Sequence, residues 1–247
     1  MAQASPVPSQ RRAILEYVCC RQATAAFLAG GALAPLLFLP LLLIAGRFTP
    51  GYGHMSSTFS DAASQGSPRP EFVTAGLVIV ALCLMMTAVG LARTMPAHQL
   101  LVRTSLAISA AGILATAAFQ DYNRASGVPR NREGMLHNAF AIVTIFAIEI
   151  TILVVWRAIR YDQSWHHLSM PAMASFVIVA MAGVAFNYGP DSHDGLAERV
   201  LAGTAFLFLT SLCLTGLRQV RGAPLGLFPV RRIHATQPAS ATLMIED

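Results

Sequence analysis

FVTAGLVIVALCLMMTAVGLA, residues 72–92, contains no acidic or basic side chain. At about 1.5 Å of rise per residue, such a run crosses the roughly 30 Å hydrocarbon core of a bilayer once. A segment surrounded by lipid can satisfy its backbone N–H and C=O groups only within itself, so it must be helix. Five further runs have the same character, at 24–46, 102–119, 138–157, 171–188 and 199–217. The sequence therefore predicts an all-α fold, an integral membrane bundle of six transmembrane helices. Residues 1–22 form a cytoplasmic N-terminal segment in this reading, 23–217 the transmembrane domain, and 218–247 a flexible cytoplasmic tail with Pro224, Pro229 and Pro238 among small polar residues.

Composition agrees. Of 247 residues, 55% are hydrophobic and only 12% charged, with a mean hydropathy of +0.56. Soluble domains carry about 25% charged residues, so a water-soluble enzyme and a disordered chain are both excluded. All basic residues are arginine and the pI is about 9.4. The arginines are scattered at the edges of apolar runs and form no stripe, which argues against a nucleic-acid partner. Cys19, Cys20, Cys83 and Cys213 define no disulfide framework. The first run, with Pro35 and Pro40, exceeds the about 7–15 residues of a signal-peptide core and lacks a small-x-small cleavage site before Arg47, so it reads as a retained anchor kinked at its prolines.

Arginine counts in alternate connectors set the expected orientation. Eleven fall on one side and six (Arg47, Arg69, Arg124, Arg130, Arg132, Arg199) on the other. Both termini are expected in the cytoplasm, and the protein in the cell (inner) membrane as a multi-pass protein. Gly30, Gly31, Gly76, Gly90, Gly112, Gly183 and Gly203 are expected to let helices approach closely.

Polar chemistry collects in the three outer connectors. In the first, His54, Ser57 and Asp61 share one face if the segment is helical; alternatively Ser and Asp cap a short interfacial helix. The second places Asp121 and His137 at the mouths of adjacent helices, where Asp121 either orients His137, joins it around a cation, or helps fix two helix ends. The third, Tyr188 to Arg199, brings His193 beside Asp191 and Asp194, then Glu198 and Arg199. Asp194 suits a cap, and Arg199 either snorkels outward or pairs with Asp61, Asp121 or a ligand anion. His54, His137 and His193 with nearby aspartates are the candidate ligands of a Zn²⁺ ion, although no H-E-x-x-H or C-x-x-C spacing fixes two ligands on one element. Glu149 is the one acid well inside a span; it is read as paired, with Arg103 in reach, or protonated. Walker, dinucleotide and G-x-S-x-G signatures are absent, and no histidine sits at mid-membrane to ligate haem.

Pro50-Gly51-Tyr52 followed by Ser57, Ser60 and Asp61, then Asp121, Gly134-x-x-His137-Asn138 and Gly195-x-x-Glu198-Arg199, resembles the bacterial and archaeal domain-of-unknown-function 998 family of six-span membrane proteins. The resemblance covers about residues 20–217 and marks Ser60, Asp61, Asp121, His137, Glu198 and Arg199 as matching positions. Ala62-Ala63 stands where the family implies glycine, and His54 and His193 find no match. It implies architecture and no reaction.

Three functions remain open. The first is binding of a lipid headgroup or small polar ligand by Ser57, Ser60, Asp61, Asp121, His137, Asn138, Glu198 and Arg199, either alone or as a subunit of an assembly with another membrane protein. The second is a membrane-embedded hydrolase of a lipid or polyprenyl substrate, metal-dependent or not, with His137 as base or ligand and Asp121 as its orienting group. The third is a proton-coupled transporter using Glu149.

Overall fold

The computed structural model describes residues 8–95, 98–121 and 131–222, with the side chains of 8–15 excepted. Helices α1 (Pro8–Phe48), α3 (Pro70–Thr94), α4 (Gln99–Ala118), α5 (Arg132–Ile159), α6 (Ser169–Tyr188) and α7 (Asp194–Gly222) are the six spans, and α2 (Phe59–Ala62) is a single turn in the first connector. Short 3₁₀ turns at His166–Leu168 and Asp191–His193 lead into α6 and α7. No strand occurs among the described residues. All six long helices are apolar enough to cross a membrane. They overrun the apolar cores read from sequence because a helix continues past the lipid boundary at no cost in backbone hydrogen bonds. Most of the expected N-terminal segment, from Pro8, is thus the start of α1, and residues 218–222 complete α7. Residues 1–7 and the expected tail from 223 onward lie outside the described residues. Tyr122 to Arg130 of the second connector do so too.

Local chemistry sets the ends. Pro70 occupies the first turn of α3, where an N–H has no helical acceptor to lose, and Arg93 lies in the last turn beside the negative end of the dipole. Asn131 caps α5, its side chain accepting from Gly134 N at 2.9 Å.

Sequence neighbours are spatial neighbours around a ring. α3 packs on α4, α4 on α5, α5 on α6 and α6 on α7, and α1 closes the circuit by lying along both α3 and α7, which also touch each other. The α5–α6 seam is the least densely packed of the six. Leu28, Phe38, Leu91, Val155, Leu212 and Trp165 are buried within the bundle, whereas Leu36 (67% exposed) and Leu207 (74%) face outward, as a lipid solvent allows. Hydroxyl pairs tie α4 to α5, Ser109 with Thr151 at 3.0 Å and Thr116 with Thr144 at 3.4 Å. Six spans return the chain to the face it left, and Arg21 of α1 donates to the carbonyl of Arg221 near the end of α7. The opposite face carries the connectors 49–69 and 189–193, together with residues 119–121 and Asn131 of the second connector, and is the site face.

Close approach explains some glycines and not others. A Cβ on Gly31 would collide with Thr87 Oγ1 and stand 2.7 Å from Cys213 Sγ, so this position lets α1 sit in the α3–α7 groove. A Cβ on Gly203 would meet nothing within 4 Å, so the expected packing role fails there. Gly31→Leu is expected to cost about 1–3 kcal/mol through overpacking, read as a fall in the detergent-solubilised Tm. Gly203→Leu should stay within about 0.5 kcal/mol. Equal effects at the two sites would refute the assigned packing.

Candidate functional site

The first connector is folded by its own short-range chemistry. Gly51 adopts a positive φ of 72°, which turns the chain after α1. Thr58 then starts α2 with a reciprocal capping box: its Oγ1 accepts from Asp61 N at 3.0 Å, and Asp61 Oδ2 accepts from Thr58 N at 2.7 Å. The helix therefore begins at Phe59, and His54 and Ser57 precede it. The single helical face expected for His54, Ser57 and Asp61 does not form; the capping alternative holds for Asp61. Ser57 Oγ instead accepts from Gly53 N at 3.1 Å within the preceding turn.

Two neighbours fix this connector in place. Gln65 N donates to the backbone carbonyl of Asp121 at 2.9 Å, and Asn131 Nδ2 donates to Gln65 Oε1 at 2.8 Å, which ties the first connector to the second. On the other side Glu198 of α7 accepts from Phe59 N, so an acid from another span caps α2 as well. Arg199 extends across the gap. Its Nη1 donates to the carbonyls of Ser57 (2.9 Å) and Gly195 (2.6 Å), and its Nη2 donates to Tyr52 Oη (2.6 Å) and lies 3.2 Å from His54 Nδ1. The guanidinium also lies over the Phe59 ring, 5.3 Å from its centroid. Burial pushes the Tyr52 phenol up to about 12, against the pull of Arg199, so Tyr52 stays neutral. Gly195 permits the contact, since a Cβ there would collide with the Ser57 carbonyl. Leu196 N donates to Met55 O at 2.9 Å, completing the seam. Arg199 is thus a bracket between connector and helix, where the sequence left open outward snorkelling or pairing with Asp61, Asp121 or a ligand anion.

Against this scaffold, Ser60 and His137 meet. Ser60 Oγ lies 2.8 Å from His137 Nε2, across 77 residues of sequence. His137 Nδ1 lies 2.8 Å from the Phe119 carbonyl and 3.0 Å from that of Thr116, at the frayed end of α4. Carbonyl oxygens only accept, so Nδ1 carries a ring proton, and in the neutral form of the ring Nε2 is then bare and accepts from the Ser60 hydroxyl. The orienting role expected of Asp121 is taken by these two carbonyls. Asp121 is itself buried at the same mouth. His137 is buried and Ser60 partly exposed, so the hydroxyl is the reachable member of the pair.

Both open onto a cavity of about 830 Å³ inside the helix ring. Its mouth is lined by Ser57, Ser60, Asp61, Asp121, His137, Asn138, Asp191, Asp194 and Glu198, and its shaft by apolar side chains from α1, α3, α4, α5 and α7, among them Phe38, Val80, Ile113, Ile148 and Leu209. Seven of the eight expected ligand-binding residues share this mouth; Arg199 stands behind it. Sequence reading missed the shaft, because burial around a shared axis depends on which helices adjoin. It also missed the cap at Thr58, although the spacing Thr58-x-x-Asp61 shows it.

The three-histidine metal site is not assembled. His54 is exposed beside Arg199, His193 is exposed with Nδ1 2.9 Å from Ser192 Oγ, and His137 has both nitrogens engaged. Among the described residues no three His, Cys, Asp or Glu side chains gather where they could hold a metal ion. Glu149 packs toward α6, its Oε1 3.6 Å from where a Gly183 Cβ would stand, and it is not one of the residues lining the cavity. Arg103, its expected partner, is exposed.

Residues 32–215 match the family described as "Protein of unknown function (DUF998)". The chain belongs to this family. The matched stretch contains the whole mouth and shaft, from Phe38 to Leu212, so the cavity lies within the DUF998 region. No curated protein and no solved structure matches the chain.

Arg199→Lys keeps the charge, but a single ammonium cannot reach Ser57 O, Gly195 O and Tyr52 Oη together. The expected result is a stability loss of about 2 kcal/mol and faster amide exchange confined to residues 51–64. Unchanged exchange there would show that Arg199 does not hold the connector.

Proposed function

We propose that this DUF998 protein binds one amphipathic membrane lipid within the helix ring, with a hydrocarbon chain in the apolar shaft and the headgroup at the polar mouth. The observation that carries this reading is the division of one continuous cavity into an apolar depth and a hydrophilic rim. Its volume of about 830 Å³ lies in the range of pockets that enclose small-molecule ligands, roughly 300–1,000 Å³. Ala141, Ala202 and Ala205 leave space on the shaft wall that larger side chains would fill. The loosely packed α5–α6 seam offers a chain a lateral way in from the bilayer.

Charge narrows the headgroup. Asp61, Asp121, Asp191, Asp194 and Glu198 line the mouth, and no arginine does among the described residues. Arg199 spends its Nη donors on Ser57, Gly195 and Tyr52, which leaves the Asp61 and Asp191 carboxylates to set the charge that a headgroup meets at the rim. An amine-bearing headgroup, such as that of phosphatidylethanolamine, matches the field. The excess of arginine on the opposite face supports an orientation in which this mouth opens at the outer leaflet of the cell membrane.

Native mass spectrometry of the full chain, purified from detergent and reloaded from mixed phosphatidylethanolamine and phosphatidylglycerol micelles, tests the reading. One phosphatidylethanolamine per chain is expected, with retention falling at least tenfold in an Ala141→Phe, Ala202→Phe double variant of unchanged helix content. Equal retention by the filled variant, or preference for phosphatidylglycerol, would overturn it.

A further inference from the structure

Lipid binding alone does not account for the arrangement of Ser60 and His137. A hydroxyl that served only to hold a headgroup would gain nothing from an imidazole fixed in one tautomer behind it. Here the Nδ1–H is held by two carbonyls, the bare Nε2 is aimed at Ser60 Oγ at 2.8 Å, and the hydroxyl faces the cavity at the level where polar rim gives way to apolar shaft. The first two features are those of a serine activated by a general base whose ring is oriented by a third group. The third places the hydroxyl where a glycerolipid carries its ester carbonyl, between headgroup and chain. Four devices fix Ser60 itself: the Thr58–Asp61 capping box, the Glu198 contact to Phe59 N, the Ser64 Oγ bond to Asp61 O at 2.7 Å, and the Arg199 bracket. Such support is what a reacting atom requires, since misplacement by about 1 Å can cost a hundredfold in rate.

We infer that Ser60 and His137 are the nucleophile and general base of an acyl-ester-cleaving site whose substrate is a glycerolipid seated in the cavity. In the first half-reaction Ser60 Oγ bonds to the ester carbonyl carbon while its proton passes to His137 Nε2. The tetrahedral oxyanion then collapses, the bond from carbonyl carbon to glycerol oxygen breaks, and the leaving oxygen takes the proton back from Nε2, so that a lysolipid departs as its alcohol. In the second, water attacks the acyl-Ser60 carbonyl, again losing its proton to Nε2, and Ser60 Oγ leaves with that proton as a free fatty acid forms. The only co-reactant is water, supplied through the hydrophilic mouth. Asn138, next to His137 on α5 and also on the cavity wall, is assigned as an amide donor to the oxyanion. The Thr116 and Phe119 carbonyls act as positioning groups through His137.

This inference rests on the lipid-binding reading, and one set of measurements separates the two. The full-length protein is treated with a fluorophosphonate and the adduct mapped by peptide mass spectrometry; in parallel it is incubated with phosphatidylethanolamine micelles and with p-nitrophenyl butyrate. The expected results are a single adduct on Ser60, release of fatty acid and p-nitrophenol, loss of turnover by more than about 100-fold in Ser60→Ala, and a loss of about 10²–10⁴-fold in His137→Gln. The amide of the His137→Gln variant can still donate a hydrogen bond to the carbonyls at the α4 end, so a purely structural histidine would leave labelling of Ser60 unchanged. Phosphatidylethanolamine retained intact by the wild type, with no adduct and no released fatty acid, overturns the ester chemistry and leaves lipid binding standing. Ser60 labelling and p-nitrophenyl ester cleavage without phosphatidylethanolamine binding would refute the lipid reading and, with it, the glycerolipid substrate. The adduct map is read on the wild type, so it decides even where a variant does not fold.

Discussion

Lipid offers a backbone no hydrogen-bonding partner, and from that constraint the rest of the molecule follows. Each crossing must be a helix, and in this chain each helix packs beside its sequence neighbour until α1 closes against α7. Helices pack with axes about 8–10 Å apart, so a ring of them leaves a space on its axis unless large side chains fill it. This ring does not fill it: alanines and hydroxyl residues such as Ala141, Ser109 and Thr144 stand on the inner wall among the larger apolar side chains.

The same constraint divides labour on the site face. Irregular backbone cannot be left near lipid with its donors and acceptors unmet, and the first connector must cross the end of the bundle. Arg199, Glu198, Thr58, Asp61 and Asn131 satisfy that backbone and hold its neighbours. Their polarity is consumed by structure. Ser60 and His137 differ from this group in that neither side chain bonds to the backbone of the first connector; they meet each other at the cavity wall, Ser60 partly exposed and His137 buried.

Spans were legible in the sequence because the bilayer reduces the question to length and charge; twenty-one uncharged residues at 72–92 admit one answer. The identity of the mouth residues was legible too, because polar side chains beside apolar runs are conspicuous. Their roles were not. Arg199 reads as an anion binder until its donors are seen on Ser57, Gly195 and Tyr52, two of which are backbone carbonyls and so carry no side-chain signal. Asp121 reads as the partner of His137 for the same reason: the true partners, Thr116 and Phe119, act through groups that every residue possesses. The three histidines invited a metal because sequence gives no distance between connectors.

Depth is the last element to weigh. His137 lies in the second turn of α5, below the Asn131 cap and above the run of Ile142, Ile145 and Ile148 along the shaft. At that level the lining changes along α5 from the polar His137 and Asn138 to the apolar Ala141 and Ile142. Few positions in a membrane protein offer both kinds of lining to one pair of atoms, and an amphipathic molecule seated with its chain downward carries its polar-to-apolar junction to that same level. The α4–α5 hydroxyl pairs reach further in, from Thr116 with Thr144 to Ser109 with Thr151, and all four residues line the cavity. Because each hydroxyl on this wall already has a partner, the shaft behaves as apolar despite its oxygens. The boundary between the polar mouth and the apolar shaft therefore falls near Ser60 and His137.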